Sequence, residues 1–254
     1  VAGFYGDDTL TFNIINLINA GWDDTFIAKY DASGNVIWAR RLGGTNREVC
    51  MSVTTDPNGF VYITGFFNSS SFTAGSPTLN NDGGYDAFIV KYDSSGNVVW
   101  ARKPTGGTDY DYAYDIAADA GGNVYVTGFY GSNNISFGST TLTNTSNSYF
   151  DSFLAKYDSS GNVLWAKNIG GNEFDDAHSV HVDPWGDIYV CGHFDSPIIN
   201  FGTVTITNIG NQQNTFLVKY NEKWMGKSFI TFQTGENGKV TEVESDGIHF
   251  IKQQ

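Results

Sequence analysis

Two imidazoles and one thiol, His178, Cys191 and His193, fall within a short stretch of this chain. Both groups bind zinc or copper through nitrogen or sulfur. If Asp183 pairs with Ile188 across the turn written PWGD, His178 stands opposite His193 on neighbouring strands. Cys191 then shares their face, because side chains alternate with a period of two along a strand. The competing reading is ordinary packing, since the matched places elsewhere in the chain hold Tyr114, Thr127 and Phe129. Three ligands are fewer than a closed structural zinc site uses, so packing is the preferred expectation.

Acidic groups offer a second chemistry. Glu48, Asp111 and Asp175 recur in register just before a predicted strand, and in a closed ring of sheets they would gather around one mouth of a channel, where a cation could bind. Solvated loop carboxylates are the simpler reading, because no loop of the D-x-D-x-D-G type accompanies them. A third pattern is aromatic: Trp22, Tyr85 and Phe150 precede another predicted strand in register, as a recognition platform or as loop anchors. His181 lies beside Asp183 and Asp187 with Ser179 nearby, yet no nucleophile elbow or metalloprotease helix goes with them. No carboxylate pair for glycoside chemistry can be singled out among the 27 acidic residues.

The elements that must carry these residues are set by repetition. DDTFIAKYDASGNVIWAR from Asp23, YDAFIVKYDSSGNVVWAR from Tyr85 and FDSFLAKYDSSGNVLWAK from Phe150 are near-copies, and NTFLVKYN from Asn214 is a decayed fourth. Trp38 to Trp100 is 62 residues and Trp100 to Trp165 is 65, a period that suits a four-stranded propeller blade. A second phrase keeps that period: SVTTDPNGFVYITGFF from Ser52, DIAADAGGNVYVTGFY from Asp115 and SVHVDPWGDIYVCGHF from Ser179. Each phrase is two alternating runs around a tight turn, the mark of a β-hairpin.

Two hairpins per unit predict four strands, with a over Asp115–Ala118, b over Asn123–Phe129, and, in the preceding copy, c over Phe88–Tyr92 and d over Val98–Arg102. About twenty Asn-, Ser-, Thr- and Gly-rich residues separate b from c. In them Phe72/Thr78, Phe137/Thr141 and Phe201/Thr205 recur, which predicts a small extra ribbon. No window sustains a helical period. The expected fold is all-β, a propeller of four-stranded antiparallel blades of about 62–65 residues, with about four blades or an arc of a larger ring. Residues 1–223 carry the repeats. Residues 224–254 read as a divergent β tail, in which Val240–Glu244 and Ile248–Lys252 flank an SDG turn, or as part of a truncated sorting signal. The start on Val1 in mid-repeat is read as the loss of an earlier segment.

The formal net charge of −13, with only 14 Lys and Arg, argues against binding to nucleic-acid phosphates, which needs clustered cations. No apolar stretch is long enough to span a bilayer as a helix. Cys50 and Cys191 sit in different repeats, where their matches are Ala or Thr, and are not expected to pair.

The phrase KYDSSGNVVWAR followed by GNVYVTGF, in this order and spacing, resembles the bacterial SBBP β-propeller repeat family over about Val1 to Tyr220. The resemblance implies a secreted or surface-displayed bacterial protein without assigned chemistry, and brings no catalytic motif and no cofactor. The chain departs from it after Asn221, where EKWMGKSFITFQ replaces the expected SGNVxWAR. The function expected is therefore a non-enzymatic extracellular scaffold or binding module that presents its loops to a glycan or a protein. A polysaccharide lyase or hydrolase is the alternative, predicting a non-repeated polar cluster in the third repeat. An inactive piece of a larger surface protein is the third reading.

Overall fold

A computed structural model describes residues 1–75, 77–146, 150–201, 204–208 and 213–221. The sequence-predicted tail at 224–254 lies outside the described residues. Among the described residues all regular structure is strand, arranged in antiparallel sheets.

The repeat writes itself out along the chain. First come β1 (Ala2–Tyr5), a ribbon of β2 (Thr9–Phe12) and β3 (Ile15–Ile18), then β4 (Asp24–Tyr30) and β5 (Val36–Leu42). The second round is β6 (Glu48–Thr55), β7 (Val61–Phe67), the ribbon β8 (Ser71–Thr73) and β9 (Thr78–Asn80), then β10 (Asp86–Tyr92) and β11 (Val98–Arg102). The third is β12 (Thr105–Gly106), β13 (Asp111–Ala118), β14 (Val124–Tyr130), the ribbon β15 (Asn134–Phe137) and β16 (Thr140–Thr143), then β17 (Asp151–Tyr157) and β18 (Val163–Ile169). Last are β19 (Asp175–Val182), β20 (Asp187–Phe194), the ribbon β21 (Ile198–Phe201) and β22 (Val204–Thr207), and β23 (Asn214–Asn221). The sheets run β1-β4-β5, β6-β7-β10-β11, β13-β14-β17-β18 and β19-β20-β23, so strands c and d do follow b of their own sheet.

Turn chemistry fixes the hairpins. Asp31, Asp93 and Asp158 each accept the backbone N–H groups two and four residues on, and each also takes the amide of the following Asn, at 2.8–2.9 Å. The glycine between holds a positive φ that a side chain would resist. These bonds favour the ionised carboxylate and pull all three aspartates below their ordinary pKa. The long b–c segments fold into the expected ribbons, whose purpose is burial: Phe72, Phe137 and Phe201 turn inward and meet Phe88, Phe153 and Phe216 with ring centroids 4.9–5.4 Å apart.

One sheet locks to the next through the same turns. Trp38 on β5 donates its indole N–H to the carbonyl of Ser94 at 3.1 Å, Arg40 donates to that of Gly96, and Lys29 reaches Ser94 as well. One sheet further on, Trp100 and Lys91 bond the carbonyl of Ser159 and Arg102 that of Gly161. Each arginine also lies over its own tryptophan. The repeated W-A-R and Lys are therefore joints, holding the neighbouring D-x-S-G-N turn by its backbone.

The strands β6, β13 and β19 are longer than their alternation predicts. β13 starts at Asp111, four residues before the expected Asp115, because a bulge between Ala113 and Asp115 breaks the period. The same bulge falls between Cys50 and Ser52 and between Ala177 and Ser179. Asp115 stands just past it and ties three sheets together: it accepts from Ser52 at 2.6 Å on one side, and from Ser179 and the N–H of Val180 at 2.8 and 2.9 Å on the other.

Candidate functional site

The register of the β19-β20 hairpin differs from the expected one. Asp183 donates its N–H to Asp187, and Val182, not Asp183, faces Ile188. That slip would separate the two histidines, and the bulge at Ala177/Ser179 carries the register one residue further, so that His193 faces Asp176 and His178, the extra residue of the bulge, is left beside them. His178 Nε2 lies 3.0 Å from His193 Nδ1. Cys191 shares a strand face with His193 but pairs with Ser179, and burial and the Asp115 charge raise its thiol pKa; it is not the third member of the group. That place belongs to Asp176, whose Oδ2 lies 3.5 Å from the same His178 Nε2. The ligand atoms of Asp176, His178 and His193 all fall within 4.8 Å of one another.

Asp176 is 2% exposed, its Oδ1 has no hydrogen-bond partner, and burial pushes its pKa up to about 7. Burial likewise lowers His178, and burial with the neighbouring His178 lowers His193, a direction that favours the neutral imidazole able to ligate. The sequence reading missed Asp176. Its signal was the doublet Asp175–Asp176, where the preceding repeat reads Asp111–Tyr112.

The acidic set is corrected by burial. Glu48, Asp111 and Asp175 are each at most 2% exposed, so they line no open channel mouth and are not solvated loop groups. Each opens the first strand of its sheet. Ser132 and Ser196 donate hydroxyls to Asp111 and Asp175 at 3.0 and 2.7 Å, while Ser69 and the N–H of Gly44 serve Glu48. Burial raises Asp111 to about 7 and Asp175 to about 6, and raises Glu48. Their neighbours at the start of β4, β10 and β17 are Asp24, Asp86 and Asp151, also buried and held by Arg41, Lys103 and Asn168.

The three aromatics do not make one platform. Trp22 is 72% exposed and stacks on no other ring among the described residues. Tyr85 and Phe150 instead enter a ladder that crosses from sheet to sheet. Phe66 stacks on Tyr112 at 4.0 Å, and Tyr85 meets Phe66, Tyr110 and Tyr112. Tyr112 meets Phe129 at 4.9 Å, Phe129 meets Phe150 at 4.7 Å, Phe150 meets Phe174, and Phe174 meets His193. Tyr114 stacks flat on His178 at 5.3 Å. The Asp-His-His group is thus the end of the ladder, and Tyr85 and Tyr110 leave part of their rings to solvent.

Antiparallel units that repeat at one period and grip each other's turns define a β-propeller-like repeat protein. Residues 37–72, which span β5 to the start of the β8-β9 ribbon, match the SBBP family, a beta-propeller repeat, and the chain carries a repeat of that family. It is 28% identical to the regulatory protein FlaEY of Caulobacter vibrioides over 90% of its own length, and 27% identical to an uncharacterized WD repeat-containing protein, L264, of Acanthamoeba polyphaga mimivirus over 70%. It spans only 25% and 15% of those relatives. A solved protein of unknown function from Bacteroides caccae aligns with 90% of this chain and 92% of its own at 11% identity and a TM-score of 0.25. No helix among the described residues is long and apolar enough to cross a membrane.

Proposed function

We propose that the chain is a non-enzymatic binding module, displayed outside the cell or on its surface, whose aromatic ladder takes a glycan or a protein segment. Each repeat acts as a four-stranded propeller blade, with about four blades in this stretch or an arc of a larger ring. The observation that carries the reading is the ladder itself. Half-buried Tyr112 and Tyr114 on β13, with Tyr85 and Tyr110 bridged to each other just before β10 and β13, give broad, oriented contact area with little side-chain entropy to lose on binding. The b–c segments, expected to present ligand-binding groups, are occupied by core-filling ribbons, which moves the recognition surface onto the strands. A regulatory protein among the relatives is in keeping with binding rather than turnover.

The test is a binding screen of the 254-residue chain against glycan and bacterial-surface protein panels, followed by Tyr85→Ala and Tyr110→Ala. A loss of roughly tenfold or more per variant with an unchanged melting temperature is expected from exposed aromatic anchors; binding that survives both substitutions overturns the assignment. A polysaccharide-active enzyme requires a non-repeated polar cluster, and the third repeat has one in Asp176, His178 and His193. Turnover of polysaccharide by the wild-type chain, abolished by His178→Tyr, would favour that reading instead.

A further inference from the structure

We propose that Asp176, His178 and His193 form a binding site for a first-row divalent cation of the zinc class, with at least one coordination position left to solvent. Three observations converge on it. The first is coordinated divergence. The positions of Asp176, His178 and His193 are held by Tyr112, Tyr114 and Phe129 one repeat earlier and by Val49, Met51 and Phe66 two repeats earlier. Three residues on two neighbouring strands, close to one another in space, have changed together from apolar or aromatic to ligand types. Packing alone asks for no such joint change.

The second is geometry. Two nitrogens on one tetrahedral zinc stand about 3.3 Å apart, given bonds of about 2.0–2.1 Å, and His178 Nε2 and His193 Nδ1 are already at 3.0 Å. Asp176 Oδ2 approaches that same Nε2 edge at 3.5 Å. Small ring rotations place all three around one ion. The histidines are also held from behind, His178 by the flat face of Tyr114 and His193 by Phe174, which fixes the donor directions in advance.

The third is the carboxylate. Asp176 is buried with one oxygen unpartnered and no cation beside it among the described residues. An uncompensated buried carboxylate is costly, and a metal ion removes that cost. His178, with 47% of its side chain exposed, gives the ion an entry path and leaves room for solvent. Asp, His and His make a mixed oxygen and nitrogen set that suits zinc, and the set excludes the nearby thiol of Cys191.

The experiment is calorimetric titration of the full chain with zinc chloride, repeated with cobalt(II) for its visible spectrum. Saturable one-to-one binding is expected, with a cobalt spectrum free of thiolate charge transfer. Cys191→Ser should bind as wild type. Asp176→Asn should weaken binding by at least roughly tenfold, the scale of losing even an outer partner of a metal site. The double variant His178→Tyr/His193→Phe restores the residues of the preceding repeat and so should fold, and it should not bind. Imidazole nitrogen resonances of the wild-type chain provide a reading independent of any variant: Nε2 of His178 and Nδ1 of His193 should shift on zinc addition, while His181 should not. Absence of saturable binding, binding that survives the double variant, or loss of binding in Cys191→Ser would each overturn the site.

Discussion

Adding one methyl group to each of three equivalent glycines separates the cost of a turn from the cost of a joint between sheets. Gly34, Gly96 and Gly161 occupy the same place in the three D-x-S-G-N turns, with φ of +81°, +80° and +79°. The backbone penalty of an alanine there is the same for all three, about 1 kcal/mol. What differs is the space outside. At Gly96 a Cβ would sit 2.7 Å from the Trp38 ring, and at Gly161 it would sit 2.9 Å from the Trp100 ring; at Gly34 no atom of the described residues lies within 4 Å. Carbon contacts relax near 3.5–4.0 Å, so each tryptophan must withdraw by on the order of 1 Å. That strains its 3.1 Å bond to the neighbouring carbonyl. Overpacking of this kind adds about 2 kcal/mol, giving about 3 kcal/mol for Gly96→Ala and Gly161→Ala against about 1 for Gly34→Ala. In a chain of this size the corresponding fall in melting temperature is about 9 °C against about 3 °C. Urea and thermal unfolding followed by tryptophan fluorescence would read all three. Equal losses across the three variants would refute the claim that the tryptophan joint, rather than the turn, is what these glycines protect.

Two further outcomes follow from half-buried Asp115 and buried Asp111. Asp115→Ala removes the acceptor that serves strands on both sides, and should cost about 2 kcal/mol in urea unfolding, with Asp115→Asn costing less; hydrogen bonds to a charged group are worth about that much each, and water can reach part of this site. A loss under about 0.5 kcal/mol would show that the three-sheet tie is ornamental. Asp111, raised to about 7 by burial, holds a proton in the folded chain that it would release when unfolded. Its contribution is therefore fully present below the unfolded value near 4 and lost as pH rises through about 7. Melting temperature should fall between about pH 4 and pH 7, and Asp111→Asn should flatten that slope; an unchanged slope in the variant would locate the dependence elsewhere.

Much of this architecture is written locally. Turn aspartates, the glycine with positive φ and period-two alternation are short-range signals, so hairpins and ribbons could be read directly from phrases such as KYDSSGNVVWAR. What escaped is tertiary. The bulge after Ala113 or Ala177 leaves no mark in composition, yet it decides which side chains meet: the turn had already set Val182, not Asp183, against Ile188, and the bulge put Asp176 opposite His193 with His178 beside them. Burial escaped for the same reason. Asp111 and Asp175 look like loop acids until Ser132 and Ser196, each 21 residues downstream, fold over them. Asp176 was hidden because a second acid beside Asp175 looks like more of the same, although the matched Tyr112 and Val49 mark the place as apolar or aromatic; its approach to His178 is what gives it a role.

The tryptophan and arginine that fasten one sheet to the next recognise carbonyl oxygens and the bare face of a glycine, features that mutation of neighbouring side chains cannot erase. The first three copies each carry a tryptophan and a D-x-S-G-N turn, and Trp38 and Trp100 reach carbonyls 56 and 59 residues downstream. A gene encoding such units can therefore gain or lose a copy by unequal recombination without inventing a new junction. Between fastenings the sequence is free to drift, so one copy can exchange aromatic rings for Asp176, His178 and His193 and acquire chemistry of its own while its neighbours hold the assembly together.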